Sequence, residues 1–357
     1  MLIDKLFEEK KIDGIYITNI YNIRFFSGFS GTTGTLFITK SKKYFFTDFR
    51  YKEQAIKECA PNGCEVIIIE RNSFEKISEF IKKTGVKKIA IEGREVTLSF
   101  YKKIEKNLKE LEILALEDEI INLRMVKKDY EIANIRKACE IADKAYSEIL
   151  KEIKTGVTEK EIAAKLEYIM RINGADDKSF DTIVASGYRS AMPHGVASNK
   201  KIENEEFVKI DFGCYYNGYV SDMTRTLYFG NNITKKHQEI YNIVFEAQKL
   251  GVNAVTAGKK ANEIDEVSRN FITNNGYGEN FGHGLGHGIG VEIHEMPYIS
   301  KSFDTILLEN MVITIEPGIY IEGFGGVRIE DDVIVKINGH EIINKTSKEL
   351  LIINAYN

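Results

Sequence analysis

The dipeptide Asn217-Gly218 lies between two runs of apolar and β-branched residues, and it constrains the fold of this 357-residue chain more than any other feature. Asn-Gly is the strongest short-range signal for a two-residue hairpin turn, because both residues readily adopt positive φ. Such a turn also fixes the register of the strands that it joins. If Tyr216 faces Tyr219, then Asp211 lies opposite Thr224.

The predicted hairpin brings two acidic residues together. Because side chains alternate along a strand, Asp211, Asp222 and Thr224 share one face. Two carboxylates at this distance repel one another unless a positive charge lies between them, and a metal cation would supply that charge. The alternative is that both acids face water on a surface strand, which the flanking apolar residues Ile210 and Phe212 make less favourable.

Residues 281–295, FGHGLGHGIGVEIHE, combine alternate glycines with His283, His287 and His294. Glycine is costly inside a helix, so the run predicts an irregular glycine-rich strand rather than a zinc-binding helix, and it contains no HExxH motif. His194 lies in a similar context, PHGVAS. The clustering of these histidines in glycine- or proline-marked segments favours a metal-binding or catalytic role.

Residues 311–335 predict a second strand pair, with a glycine-rich turn at 323–326. Glu316 lies on the first arm inside an otherwise apolar run, where an unpaired carboxylate would be costly to bury. Arg328 on the second arm could form a buried salt bridge with it. Alternatively, Glu316 and Glu330 could join the acids of the first hairpin and a histidine around metal.

The charge balance favours the metal alternative. Four carboxylates offset two divalent cations and leave room for a bound hydroxide, whereas a single cation would leave the site strongly negative. Oxygen-rich ligation with one imidazole suits Mn²⁺ or Co²⁺ at least as well as Zn²⁺. Two neighbouring metal ions generate hydroxide at neutral pH and polarise a carbonyl, as amide hydrolysis requires.

The hydrophobic pattern predicts two domains, at residues 1–122 and 123–357. In the first, short β-rich runs alternate with amphipathic helical segments such as 73–84, which predicts an open α/β domain. The second begins with helices, one of which starts at a capping box on Thr158. The predicted strands of the first domain span 14–18, 35–39, 44–48, 65–70 and 87–93, and the predicted helical blocks of the second span 128–150, 158–173, 235–257 and 261–274.

Composition excludes several classes of protein. The chain has 49 Lys and Arg against 53 Asp and Glu, a net charge of −4, and dispersed lysines argue against a nucleic-acid-binding protein. No apolar run approaches the roughly 20 residues of a membrane-spanning helix. Asp4, Glu8 and Glu9 argue against a signal peptide, so a cytoplasmic location is expected. The four cysteines form no CxxC pair and are expected to be buried free thiols.

The ordered set DFG…SDMTRT, HGVAS, GHGLGHGIGVEIHE, ITIEPGIY and VRIED resembles the M24 or pita-bread metallopeptidases, and within them the aminopeptidase P and prolidase branch. The resemblance extends over essentially the whole chain. It implies an α/β creatinase-like amino-terminal domain followed by an α+β pita-bread catalytic domain.

The resemblance also implies a set of metal ligands. Asp211 would bind one divalent ion, His287 and Glu316 the other, and Asp222 and Glu330 would bridge both. The expected cofactors are therefore two divalent metal ions, Mn²⁺ first, with Co²⁺ or Zn²⁺ as alternatives.

Further roles follow from the same resemblance. Glu316 would transfer a proton from the attacking hydroxide to the leaving imine, and His194 and His294 would contact the substrate carbonyl and stabilise the tetrahedral intermediate. Arg328 and Tyr320 match positions that support the ligands, with Arg328 expected to orient the bridging carboxylates. His283 would be an additional, structural histidine.

The expected activity is hydrolysis of the Xaa-Pro bond at the amino terminus of small peptides, by a homodimer. Some prolidases carry an arginine directly after HExP, where this chain has Tyr298, so aminopeptidase P is placed first and Xaa-Pro dipeptidase is the alternative. Two other possibilities are a non-catalytic peptide-binding protein and a creatinase-like hydrolase. The complete set of implied ligands argues against both.

Overall fold

The computed structural model describes residues 2–70 and 73–354. The chain divides into two compact units, Met1–Arg124 and Met125–Asn357. The domain boundary between residues 122 and 123 stays a prediction.

The first unit is built on a six-stranded sheet of order β4-β3-β2-β1-β5-β6. Strand β2 is antiparallel to β1 and to β3, and the other neighbours are parallel. Its strands are β1 (Gly14–Ile17), β2 (Thr35–Thr39), β3 (Lys43–Thr47), β4 (Cys64–Ile68), β5 (Lys88–Glu92) and β6 (Glu112–Leu116). Its helices are α1 (Leu2–Lys10), α2 (Ile20–Ser27), α3 (Lys52–Cys59), α4 (Phe74–Lys83), α5 (Leu98–Asn107) and α6 (Glu119–Met125), which runs to the division between the units.

Each face of this sheet buries an apolar cluster. Ile15 and Ile17 contribute to one cluster, and Tyr16 between them contributes to the other, where Ile77 and Ile81 of α4 pack. This α/β organisation and five of the strands are confirmed. Strand β6 was not predicted, although four consecutive apolar residues follow Glu112, and only its last residue is fully buried.

The second unit surrounds its strands with four long helices. The helices are α7 (Asp129–Ile149), α8 (Glu159–Ile172), α9 (Lys235–Ala254) and α10 (Ala261–Asn274). The strands are β7 (Asp177–Lys178), β8 (Ile183–Ser186), β9 (Glu206–Phe212), β10 (Cys214–Tyr216), β11 (Tyr219–Val220), β12 (Met223–Phe229), β13 (Gly286–Gly288), β14 (Glu295–Ile299), β15 (Val312–Ile315), β16 (Gly318–Ile321), β17 (Gly325–Arg328), β18 (Asp331–Lys336), β19 (Gly339–Ile342) and β20 (Ile352–Ile353).

Two sheets form the centre of this unit, with orders β20-β12-β9-β8 and β14-β13-β15-β18-β19. One apolar cluster joins α7 and α8 to β9 through Ile141, Leu166 and Val208, and the other joins α9 and α10 to β15. The Thr158 capping box is confirmed, since its hydroxyl accepts the Glu161 N–H at 3.2 Å and the Glu161 carboxylate accepts the Thr158 N–H at 2.8 Å.

The Asn217-Gly218 hairpin has the predicted register. Tyr216 pairs with Tyr219 across β10 and β11, and Asp211 pairs with Thr224 across β9 and β12. Asn217 and Gly218 have φ values of 48° and 81°. The two arms approach so closely at Gly213 that a Cβ there would lie 1.8 Å from the Ser221 carbonyl oxygen. The ladder is interrupted at this point, next to Asp222.

The second predicted strand pair is also one interrupted hairpin. β15 pairs with β18 and β16 pairs with β17 in the same register, so Glu316 and Glu330 face one another at the interruption. The turn is 322–324 rather than 323–326, because Gly325 and Gly326 are already paired in β17. Each hairpin therefore presents two carboxylates where its regular pairing stops.

Two expectations from composition can be compared with the structure. In the ranges described here, no helix is both long and apolar enough to cross a membrane. All four cysteines, Cys59, Cys64, Cys139 and Cys214, are buried free thiols.

Candidate metal centre

The two interrupted hairpins meet at a cavity of about 470 Å³ in the second unit. Eight of the nine residues predicted to be metal ligands or catalytic groups line it, and the ninth, Tyr320, lies behind the cavity wall against Arg328. These lining residues are His194, Asp211, Asp222, His287, His294, Glu316, Arg328 and Glu330.

Three buried side chains at this cavity are arranged as metal ligands. Single ligand atoms of Asp222, His287 and Glu330 lie within 4.8 Å of one another. His287 Nε2 is 3.6 Å from Asp222 Oδ2 and 3.3 Å from Glu316 Oε1. Burial lowers the pKa of His287 to about 3, so the imidazole is neutral. Because Nδ1 lies 3.1 Å from the Gly288 carbonyl oxygen, we assign the proton to Nδ1, which leaves the Nε2 lone pair facing the acids.

Two of these carboxylates have buried oxygens that no positive group or hydrogen-bond donor contacts in the described part of the chain. Asp222 Oδ1 and Glu330 Oε1 are buried and have no hydrogen-bond partner within the described ranges. Burial, followed by repulsion from neighbouring acids, raises the pKa of both groups well above the usual range, and burial raises the pKa of Glu316 to about 7. Divalent cations would satisfy these oxygens, and a donor set of carboxylates with one imidazole suits them. The residues present therefore fit a metal centre.

Asp211 is held differently from the other acids. Its Oδ2 accepts a hydrogen bond from Arg328 Nη2 in a buried ion pair. Arg328 Nε donates to Thr224 Oγ1 at 3.0 Å, and that hydroxyl donates to Glu330 Oε2. Arg328 thus contacts Asp211 directly and Glu330 only through Thr224, and its Nε lies 3.9 Å from Glu316. The role predicted for Arg328, orienting the bridging carboxylates, stays a prediction, and its contact with Glu330 runs through the Thr224 hydroxyl.

A short hydrogen-bonded chain explains where Tyr320 and His283 lie. Arg328 Nη1 donates to the Tyr320 hydroxyl at 3.0 Å, which lies 2.9 Å from His283 Nε2. Burial lowers the pKa of His283 to about 3, and Nδ1 is 2.7 Å from the Gly284 carbonyl oxygen. With the proton assigned to Nδ1, Tyr320 donates to Nε2. The phenol is therefore held by two neighbours.

His194 and His294 lie at the outer part of the cavity, and both are exposed. The ring of His294 is 4.4 Å from that of His287, centre to centre. Partial burial, and then the proximity of His194, lowers the pKa of His294. The next residue, Glu295, forms a fully buried ion pair with Lys127 at 3.1 Å. This ion pair anchors the backbone that carries His294.

Two groups beside the cavity were not identified from the sequence. Lys209 is fully buried, and its Nζ donates to the carbonyl oxygens of Met192 at 2.6 Å and Pro193 at 3.4 Å. Burial, and then the proximity of Arg328, lowers its pKa well below the usual range. Strand alternation could have revealed it, because Lys209 precedes Asp211 by two residues on β9 and so shares its face.

The second group is an ionic cluster around Asp331. This carboxylate accepts from Arg225 Nη2 at 2.7 Å, from Lys348 Nζ at 2.6 Å and from the Gln248 amide at 2.9 Å. Burial alone would raise the pKa of Asp331, but Arg225 and Lys348 outweigh it and leave the pKa lowered. The cations come from β12 and from the carboxyl-terminal segment, and nothing in the local sequence identifies them as partners.

Asp332, next along β18, supports Asp222 from behind. Its Oδ2 accepts the Asp222 backbone N–H at 2.9 Å and lies 3.1 Å from the Cys139 sulfur. Burial raises the pKa of Asp332 to about 8.

Comparison with known proteins identifies the family. Residues 133–336 match metallopeptidase family M24, and residues 2–126 match the Creatinase/Prolidase N-terminal domain. The chain belongs to metallopeptidase family M24. The fold class predicted from the sequence, a creatinase-like amino-terminal domain with a pita-bread catalytic domain, is confirmed.

Relatives of this metallopeptidase cover its full length. It is 45% identical to the Xaa-Pro dipeptidase of Pyrococcus furiosus over 97% of both chains. The structure of the Xaa-Pro dipeptidase from Bacillus anthracis matches it with a TM-score of 0.94 at 45% identity, over 99% of this chain and 98% of the other. The X-Pro aminopeptidase from Thermotoga maritima matches with a TM-score of 0.89 at 41% identity, over 96% and 98%.

Proposed function

We propose that this metallopeptidase is an Xaa-Pro dipeptidase that uses two divalent metal ions. The observation that carries the proposal is the convergence of Asp222, His287, Glu316 and Glu330 at one cavity, in a chain whose full-length relatives include named Xaa-Pro dipeptidases. The cavity volume of about 470 Å³ is within the range of roughly 300–1,000 Å³ that is typical of small-ligand sites.

Tyr298, at the position where some prolidases carry an arginine, favoured the aminopeptidase over the dipeptidase as a prediction from the sequence. The relatives support the dipeptidase more strongly than the aminopeptidase, although both activities appear among their names. Tyr298 lines the cavity and is partly exposed. It is therefore placed where a neutral hydroxyl could contact bound peptide.

The proposed ligands are the five that the resemblance to the family implied. Asp211, His287 and Glu316 would each bind one ion, and Asp222 and Glu330 would bridge. When bound, the ions would supply a nucleophilic hydroxide near neutral pH and polarise the peptide carbonyl. We propose Mn²⁺ as the native metal, with Co²⁺ or Zn²⁺ as alternatives, because oxygen ligands outnumber the single imidazole.

The protein groups around this centre have separate proposed roles. Glu316 would accept a proton from the attacking hydroxide and deliver it to the leaving proline nitrogen. His194 and His294 reach the outer part of the cavity, where they can donate hydrogen bonds to the substrate carbonyl as negative charge develops. Arg328 and Tyr320 hold Asp211 and each other in place.

The test compares an Xaa-Pro dipeptide with an Xaa-Pro-Xaa tripeptide, with Mn²⁺, with Co²⁺ and after chelation. Asp222→Ala is the inactive reference, and Asp181→Asn is the matched control, because Asp181 lines the same cavity but is exposed and pairs with Lys178. Preferential cleavage of the dipeptide supports the proposal. Preferential cleavage of the tripeptide would make the chain an aminopeptidase, and no cleavage of either would favour a peptide-binding protein.

We further propose that the chain forms a homodimer, as its resemblance to the family implies. Sedimentation equilibrium of the purified protein would test this, and a mass of one chain, 40.6 kDa, would contradict it.

A further inference from the structure

The segment that carries His194 is exposed at its surface but held from below by two buried basic side chains. Lys209 Nζ donates to the carbonyl oxygens of Met192 and Pro193, and Arg328 Nη1 donates to that of Pro193 at 3.1 Å. These are the two carbonyl groups immediately before His194. Their orientation sets the peptide planes from which the histidine side chain projects.

Arg328 also forms hydrogen bonds with Asp211, Thr224 and Tyr320, so its contact with this segment is one of several. Lys209 differs, because this segment is its main partner. Within the described ranges, no carboxylate lies within ion-pair distance of Lys209, and its hydrogen bonds go only to these two carbonyls. Its Nζ also lies 5.0 Å from the centre of the Tyr320 ring. Burying an amine is costly, and an apolar side chain on β9 would avoid that cost. What the lysine adds is therefore the attachment of the segment before His194.

At its two ends, the segment is attached by the Met192 N–H, which donates to the Arg189 carbonyl at 2.9 Å, and by the Ala197 N–H, which donates to the Thr182 carbonyl at 3.5 Å. Gly195 N–H donates to the Met192 carbonyl at 3.2 Å, and Val196 N–H donates to the His194 carbonyl at 2.9 Å, so both bonds are internal. On the far side, Arg189 Nη2 donates to the Val196 carbonyl at 3.0 Å. The side chains of Met192 and Val196 are about half exposed and supply little packing. The hydrogen bonds from below thus determine where His194 lies.

We propose that Lys209 is a positioning residue that fixes His194 at the mouth of the cavity. The expected effect on turnover rests on the proposed peptidase function. The expected effect on the position of His194 does not. A displacement of a reacting group by about 1 Å can cost roughly a hundredfold in rate. Loss of the lysine is therefore expected to lower turnover through His194 without changing the metal ligands.

The first experiment measures structure without catalysis. Lys209→Met keeps most of the apolar stem of the side chain but removes its donor, and Lys200→Met is the matched control. Lys200 is also largely buried, but it bonds to Glu206, Ser186 and Lys201 and not to residues 192–194. Amide hydrogen exchange of the apo protein should become faster at Gly195 and Val196 in Lys209→Met and stay unchanged there in Lys200→Met. Unchanged exchange in Lys209→Met would overturn the proposal.

The second experiment is a double-mutant cycle on Xaa-Pro dipeptide hydrolysis. Lys209→Met is expected to lower kcat by about tenfold to a hundredfold with little change in KM, and to have no further effect in a His194→Ala background. Multiplying effects in the double variant would show that Lys209 does not act through His194. If Lys209→Met does not fold, Lys209→Gln, which is too short to reach both carbonyls, serves in both experiments. An inactive wild type would refute the proposed function. The amide hydrogen exchange of Gly195 and Val196 tests the positioning role of Lys209 independently of activity.

Discussion

Glu330 and Asp331 are neighbours in the chain and equally buried, but their carboxylates have opposite surroundings. Glu330 faces the cavity, and its Oε1 has no hydrogen-bond partner among the described residues. Asp331 faces the ionic cluster and receives hydrogen bonds from Arg225, Lys348 and Gln248. The pKa of Glu330 is raised well above its usual range, and that of Asp331 is lowered.

The contrast separates two uses of a buried acid. In the ionic cluster the chain itself supplies the cations, so the negative charge is stabilised as soon as the protein folds. At the cavity the acids outnumber the available cations, and burial is left uncompensated. A centre of this kind requires a ligand of opposite charge, whereas the cluster requires none.

The largest expected effect concerns the cluster. Arg225→Met removes the cation that binds Asp331 and four backbone carbonyls, which are those of Thr224, Glu330, Thr346 and Ser347. Breaking a buried ion pair from one side should lower the free energy of unfolding by about 3–5 kcal/mol, as measured by urea denaturation of the chelated protein. The exposed pair Arg136–Glu341 is the control, and Arg136→Met should cost less than about 1 kcal/mol. If both substitutions lowered the free energy of unfolding equally, the buried cations around Asp331 would contribute no more to stability than an exposed ion pair.

The opposite pattern is expected at the cavity. Glu330→Gln should lower peptidase activity by more than about a hundredfold, since a ligand should matter more than the 10–100-fold typical of groups that merely support ligands. The same substitution should not destabilise the chelated protein, because the amide has the shape of the carboxyl group and carries no charge that burial would penalise. Glu322→Gln, in the exposed turn of the same hairpin, should change neither quantity. Marked destabilisation of apo Glu330→Gln would show that this carboxylate is already stabilised without metal.

Metal binding should show the raised pKa values directly. Binding requires deprotonated acids, so below these pKa values each metal ion must displace protons. The apparent affinity for Mn²⁺ should therefore rise with pH between 6 and 8, by about tenfold per pH unit for each proton released. Glu316 titrates near 7, whereas His287, with its pKa lowered to about 3, is neutral throughout. Calorimetry in two buffers of different ionisation enthalpy measures how many protons are released. If no protons are released, the acids at the cavity do not have the raised pKa values that distinguish them from Asp331.

The smallest expected effect lies between the two regions. Cys139→Ala removes the thiol next to Asp332 Oδ2, which still accepts the Asp222 N–H. We expect a loss of about 1 kcal/mol in the free energy of unfolding and little loss of activity. Thermal denaturation and dipeptide hydrolysis would measure both. A large loss of activity would mean that the thiol, and not only the backbone, sets the position of Asp222.

The sequence predicted well what depends on local geometry. The Asn217-Gly218 turn set the register that places Asp211 opposite Thr224, and alternate glycines correctly excluded a helix around His287. The sequence could not distinguish Glu330 from Asp331, because strand alternation shows only that they face opposite sides. Which side holds cations depends on Arg225 and Lys348, whose contacts with Asp331 are created by packing.

The ion pair between Lys127 and Glu295 shows where the catalytic unit must begin as a folding unit. The match to family M24 starts at residue 133, but Lys127 precedes it and is buried against the residue that follows His294. The backbone of the same lysine donates to the Asn310 carbonyl at 2.9 Å, and Val126 bridges to Met311. A shortened chain that starts at the family match would lack Lys127, the cation that pairs with the buried Glu295 carboxylate. The first residue that matches the family model is therefore not the first residue that the second unit needs in order to fold. A fragment that folds by itself must begin at or before Val126.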